Sequence, residues 1–137
     1  MIHTKFRNFL QVQWDADPHP YLHPIKPNLK HWPSINQDNR LKEVILARLR
    51  LGHTKITQYF ILQKESPTLC QTCNRRYSIK HFLLHCPLYD SERQPLLRHA
   101  SANRLPLTLP NLLGDSYPDM IVLLFEFLHS TRLELFI

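Results

Sequence analysis

Glycine is almost missing from this chain: two residues in 137, Gly52 and Gly114, against eleven prolines. β-Hairpin turns draw on residues that accept positive φ, glycine above all, so a hairpin-rich sheet fold is disfavoured. Helices joined by proline-stiffened connectors fit the composition better, and a mainly α domain is expected. Long apolar runs are also missing. The longest, Met120 to Phe125 (MIVLLF), falls far short of the roughly 20 residues a membrane-spanning helix requires. The opening stretch, MIHTKFRNFLQVQW, is broken by charge and amide groups and does not read as a secretory signal. An intracellular, reducing compartment is therefore expected. There, three cysteines, a number that cannot pair off completely as disulfides, point to metal before disulfide.

What the chain does have is 43% apolar and 20% charged residues, with 17 basic and 11 acidic side chains giving a net charge of +6. That balance fits one soluble globular domain. The excess positive charge bears on solubility and polyanion affinity, and says nothing of fold. Residues 1–35 read as an amino-terminal helix followed by a proline-rich strap, and residues 36–137 as the helical domain proper, the two forming one cooperative unit. The first helix, over residues 3–14, places Phe6, Phe9, Leu10 and Trp14 near one face. The segment from Asp15 to Pro33 carries five prolines. It reads as an extended strap whose Tyr21, Leu22, Ile25 and Trp32 dock on a core.

The clearest helical signal is NQDNRLKEVILARLRLG, with Asn36 or Asp38 as N-cap and Gly52 just past the end. Leu41, Val44, Ile45, Leu49 and Leu51 make its apolar side, and Arg48 falls inside that stripe. An arginine so placed calls for a partner. A structural carboxylate, a snorkelling path to solvent and a phosphate all remain open. A second helix, HTKITQYFILQ, turns Ile56, Tyr59 and Phe60 inwards, with His53 as a hydrogen-bonded helix-end residue. Further on, YDSERQPLLRHASANRL reads as a helix with Ser91 near its start and Pro95 in its first turn. The last helix runs from about Tyr117 to His129, opened by a capping-box-like Ser116 and Asp119. It is apolar on nearly every side, as a buried core helix is.

All three cysteines lie in LCQTCNRRYSIKHFLLHCPLY, residues 69–89, spaced Cys70-x2-Cys73-x7-His81-x4-Cys86. A C-x2-C knuckle lets two sulfurs reach one ion, and thiolate with imidazole suits tetrahedral zinc. His81 stands on a helix begun near Ser78, and Cys86 at its end, where Pro87 forbids continuation. Five residues of regular α-helix rotate by about 140°, so His81 and Cys86 share a ligand position only if the last turn loosens. His85, at i+4 from His81, is the rival ligand. His81 is favoured because with Cys86 it leaves a His-x4-Cys closure resembling that of retroviral zinc knuckles. Four protein ligands leave no open position, so the expected zinc is structural. On such a scale it stabilises by roughly 10 kcal/mol or more. Around the knuckle, Arg75, Arg76 and Lys80 surround Tyr77, which suggests phosphate contacts with a stacking ring for RNA or single-stranded DNA, extended by Lys55, Arg48 and Arg50. The plainer reading of NRRYSIK is a solvated turn.

The succession HPIKPNLKHWP, NRLKEVILARLRLGHTKITQYFIL, CQTCNRRYSIKHFLLHCPLYDSER, NLLGD and FEFLHSTRLELFI resembles the carboxy-terminal region of Jockey-like non-LTR retrotransposon polyproteins. That region follows the reverse transcriptase and the RNase H-like domain. The resemblance spans about Trp14 to Ile137, and RLRLGHTKIT and the C-x2-C-x7-H-x4-C block are its most specific stretches. It implies Cys70, Cys73, His81 and Cys86 as metal ligands, and places Arg48, Arg50, Gly52, His53 and Thr54 in a recurring core. Two residues depart from the pattern: Gln58 stands where His is usual, and His85 where an acid is common. No adjacent aspartate pair of a polymerase occurs. The carboxylates are scattered rather than gathered on strands as magnesium-dependent RNA cleavage needs. A non-catalytic, zinc-stabilised nucleic-acid-binding module is therefore expected. An interaction module docking on a reverse transcriptase, on an RNase H-like domain or on itself, and an inert remnant of such an element, stand as alternatives.

Overall fold

The computed structural model describes residues 2–137, and within them the chain is mainly helical. No strand forms among the described residues; a single antiparallel bridge joins Leu69 and Arg76. The glycine shortage shows in the helix ends. Gly52 takes the left-handed conformation, with φ 77°, but so do Lys64, Asn74, Arg104 and Arg132. Four non-glycine side chains thus occupy a backbone region that costs them energy.

Helix α1 (Ile2–Ala16) runs further than its apolar pattern predicts and buries none of its residues. Phe6 and Phe9 are more than half exposed. Its last turn is held through polar contacts with the strap: Trp14 Nε1 donates to the Lys26 carbonyl at 2.9 Å and Gln11 Nε2 to that of Pro27 at 2.9 Å. His23 and Asp15 meet at 3.0 Å. The strap is not extended throughout, since α1 occupies its start and a one-turn helix, α2 (Leu22–Ile25), interrupts it. Three of the four expected docking residues reach the core, and Leu22 does not pack against it. Ile25 is buried in the core, and Tyr21 and Trp32 pack against it.

Helix α3 (Arg40–Leu51) is capped by Asn39, whose side chain accepts from the Lys42 N–H, rather than by Asn36 or Asp38. The buried face is Ile45, Leu46, Leu49 and Arg50, whereas Leu41 and Leu51 are exposed. The buried stripe is thus rotated from the expected one, and Arg50, not Arg48, lies in it. Their partners explain the choice: Arg50 finds the Leu113 carbonyl, Ser34 and Asp115 inside the domain, and Arg48 reaches the Ile137 carbonyl from the surface at 2.7 Å.

After Gly52, α4 (Lys55–Gln63) starts on a reciprocal box between Thr54 and Thr57. Both threonines are buried, Thr54 as the cap and Thr57 as the buried residue of the helix itself. Tyr59 does not face inwards but stands 52% exposed, while Ile56 and Phe60 are half-buried. Helix α5 (Asp90–Ala102) follows a 3-10 turn at Pro87–Tyr89 and carries Pro95 in its second turn, one turn later than expected. Helix α6 (Leu109–Leu113) is capped by Thr108. Helix α7 (Pro118–Ser130) begins with Pro118 at its first position. No side chain caps it, so the Ser116 and Asp119 box does not form. Met120, Ile121, Leu124, Phe127 and Leu128 of α7 make the centre of the core. Helices α5 and α6 pack on α7, and α3 and α2 close the other side. A final 3-10 turn, Leu133–Phe136, folds back to bury Leu133 and Ile137.

Candidate metal centre

The knuckle is built by backbone bonds. Cys70 N–H donates to the Arg75 carbonyl at 2.8 Å, Asn74 N–H to that of Cys70 at 2.7 Å, and Tyr77 N–H to that of Thr68 at 3.0 Å. Asn74 supplies the left-handed residue, φ 52°, that lets so short a loop close; asparagine tolerates this conformation better than most residues. Both cysteines therefore look into one concavity.

The second pair of candidate donors is aligned by an unusual turn. Residues His81–His85 wind as a π-helix. The Cys86 N–H bonds the His81 carbonyl at 2.7 Å, five residues back. A π turn stacks residues five apart almost over each other, which the α-helix does not. This is the loosening that the His-x4-Cys spacing demanded. It also buries Phe82 and Leu83 while leaving His85 exposed.

The donor atoms of Cys70, Cys73, His81 and Cys86 all lie within 4.8 Å of one another. Cys70 Sγ is 3.7 Å from Cys86 Sγ, and Cys73 Sγ is 4.0 Å from it. All three thiols are free, since these distances are far beyond a disulfide bond. Cys70, His81 and Cys86 are buried and Cys73 is half-buried. His81 Nε2 is buried with no hydrogen-bond partner, and a buried orphan of this kind asks for an occupant. Burial pushes the Cys70 thiol up, but the His81 imidazole and the amides of Cys73 and Thr72 outweigh it and bring the group down to about 6. Burial pushes Cys86 up to about 11. One thiolate is thus favoured and its neighbour opposed, because two anions at this separation repel. A shared cation would remove that conflict, and the four donors fit one.

Arg93, which sequence reasoning passed over, fastens this corner to the bundle. It is 2% exposed. Its Nε donates to the Leu83 carbonyl at 2.8 Å, and its Nη2 to those of Phe82 and Cys86 at 3.1 and 2.9 Å. Nη1 meets Asp90 at 2.5 Å. A π turn ends with carbonyls that lack a partner within the helix, and one planar guanidinium serves those of Phe82 and Leu83 together with the Cys86 carbonyl, which also accepts from the Tyr89 N–H at 3.2 Å. The available signal was position. Arg93 shares the inward face of α5 with Leu96 and Ala100, where a charge must have partners.

The expected nucleic-acid residues separate into three groups. Arg75, Arg76, Lys80, Lys55 and Arg48 are exposed. Tyr77 is turned inwards: its hydroxyl meets that of Tyr89 at 3.2 Å, and its ring stands edge-on to His81 at 5.9 Å. Arg50 is buried and is no surface contact. Its Nε donates to the Leu113 carbonyl at 2.8 Å and its Nη2 to Ser34 Oγ at 2.5 Å. Trp32 lies 3.8 Å beneath its guanidinium, and Asp115 stands 3.7 Å away. Burial lowers its pKa to about 10, against the pull of Asp115.

No family model, curated protein or solved structure matches this chain. No helix among the described residues is long and apolar enough to cross a membrane.

Proposed function

We propose that this chain is a non-catalytic, zinc-stabilised module that binds single-stranded nucleic acid, akin to the tail of Jockey-like retrotransposon polyproteins. The observation that carries the reading is the separation of the sulfurs. With Zn–S bonds of about 2.3 Å, the edge of a regular tetrahedron is about 3.8 Å, and the two sulfur pairs stand at 3.7 and 4.0 Å. Cys70, Cys73, His81 and Cys86 would hold the ion. Zinc, with no redox chemistry and four protein donors, would supply rigidity to the corner. A complete donor set leaves no position for water or substrate, which supports a structural role.

Nucleic-acid binding is supported by the cations that this corner displays. Arg75, Arg76 and Lys80 are exposed, and none makes an ion pair among the described residues. The test is a labelled single strand titrated across a salt series, after native mass spectrometry has established one zinc per chain. Binding through several phosphates weakens steeply with salt. An affinity indifferent to salt would sink the reading.

The exposed Phe6 and Phe9 of α1 favour a second reading, a protein-interaction module. A wild-type chain that is monomeric in solution, with its mass unchanged in a Phe6→Ser/Phe9→Ser variant, argues against self-association.

A further inference from the structure

We propose that the nucleic-acid strand lies in a continuous groove between the metal corner and the α3–α4 turn, with Arg76 and Lys80 at its centre and Tyr59 as its stacking ring. The inference rests on the nucleic-acid reading above, and deepens it by assigning the track.

The central cleft, of about 430 Å³, is walled by the knuckle on one side and by the start of α4 on the other. Arg76, Lys80, His19, His53, Gln58 and Ser78 bring donors to it. A second cleft, of about 410 Å³, shares His53 and Gln58 with the first and continues along α4 to Lys55, Arg48 and Tyr59. A third, of about 470 Å³, shares Lys80, Tyr21 and Leu109 and continues the other way, past His85 and the flat apolar walls of Pro20, Leu84 and Pro110. The shared residues make the three one groove.

No carboxylate lines any part of that groove. The contrast with the rest of the surface is sharp. The cleft between α3 and α7 carries Asp38, Glu126 and Glu134, and the one beside Trp32 carries Glu43. Acids are thus present on this protein and kept out of one connected channel, which holds two arginines and two lysines. A polyanion threaded there meets attraction along its whole path and no repulsion. Short alternating stretches of cation and apolar wall suit a single strand, whose phosphates and unstacked bases both need partners.

The groove also reassigns two roles. Tyr77 also lines the central cleft, but it is half-buried, with its ring edge-on to His81 and its hydroxyl on that of Tyr89, so it offers less stacking surface than Tyr59. Tyr59, 52% exposed, stands in the groove with Arg48 and Lys55 beside it. Arg75, although exposed, lines none of these clefts.

The experiment uses the full zinc-loaded chain with fluorescein-labelled oligouridine and oligothymidine, read by anisotropy over a salt series. Arg76→Gln and Lys80→Gln are each expected to flatten the log–log salt slope by about 0.7 for a lost single-strand phosphate contact. Tyr59→Ala is expected to weaken binding about tenfold with the slope unchanged. Arg98→Gln, exposed on α5 and lining none of these clefts, should bind as wild type does. Bound zinc and far-UV circular dichroism verify that each exposed-site variant is folded. If Arg98→Gln loses affinity while the groove variants bind normally, the groove assignment is overturned and the nucleic-acid reading stands. If the wild-type chain leaves both strands free at low salt, both fall together.

Discussion

Two arginines with opposite appearances in the sequence exchange roles in the folded chain. Arg48 sits in the apparent apolar stripe of α3 yet is exposed, and Arg50, two residues on, is 4% exposed. Helical periodicity locates a stripe only to within a residue or so when leucines lie on both borders, as Leu41 and Leu51 do. What decides is the partner, and Ser34, Leu113 and Asp115, all remote in sequence, were invisible beforehand. Arg50→Met leaves Asp115 without its counter-charge, and Asp115 Oδ2 is already buried without a partner. A loss of about 3 kcal/mol is expected in denaturant unfolding, with oligonucleotide affinity unchanged in the folded fraction. Arg93→Met strips the Phe82 and Leu83 carbonyls of their guanidinium donor and leaves the Cys86 carbonyl with the Tyr89 N–H alone. It is expected to cost about 2–4 kcal/mol and to speed zinc release to a chromogenic chelator. Arg93→Lys should recover only part of this, because an ammonium lacks the planar fork that spans three acceptors.

At the scale of elements, the helices were readable and their ends were not. The Gly52 stop of α3 followed from glycine alone, and the candidate cluster of Cys70, Cys73, His81 and Cys86 from spacing together with the zinc-knuckle resemblance that favoured His81 over His85. Pro95 was read too early in α5, and the Ser116 box was absent, because Pro118 already starts α7 without it. The π turn could be inferred as a need, since His81 and Cys86 do not align on an α-helix, but its geometry depends on Arg93 and on Phe82 reaching the core. Helix α5 ends on Arg104 at φ 55°, with the Leu105 N–H closing back to the Ala100 carbonyl at 2.8 Å. That position is exposed and suits glycine. Arg104→Gly is expected to stabilise the chain by about 0.5–1 kcal/mol, seen as a raised denaturant midpoint with an unchanged slope.

For the whole molecule, composition spoke truly about class and poorly about placement. Few glycines meant few hairpins, and the only β pairing among the described residues is the bridge beside the knuckle. The net charge of +6 gave no hint that the clefts beside the knuckle would be free of carboxylates, because that depends on which helices become neighbours. A strong chelator is expected to lower the melting temperature by well over 10 °C in differential scanning calorimetry. The core reaches into the corner through Phe82 and Leu83, and structural zinc sites contribute on the order of 10 kcal/mol.

The π turn gives that loss a particular form. His81 and Cys86 bracket the same few residues that carry Phe82 and Leu83 into the hydrophobic interior, so one strip of backbone serves two masters. On the proposed zinc reading, loss of the ion frees the strip to rewind from five-residue to four-residue closure, and every side chain along it would swing to a new bearing. The demetallated chain should therefore be out of register as well as looser: altered aromatic packing beside an almost constant helix content, a change that near-ultraviolet dichroism detects and far-ultraviolet dichroism misses.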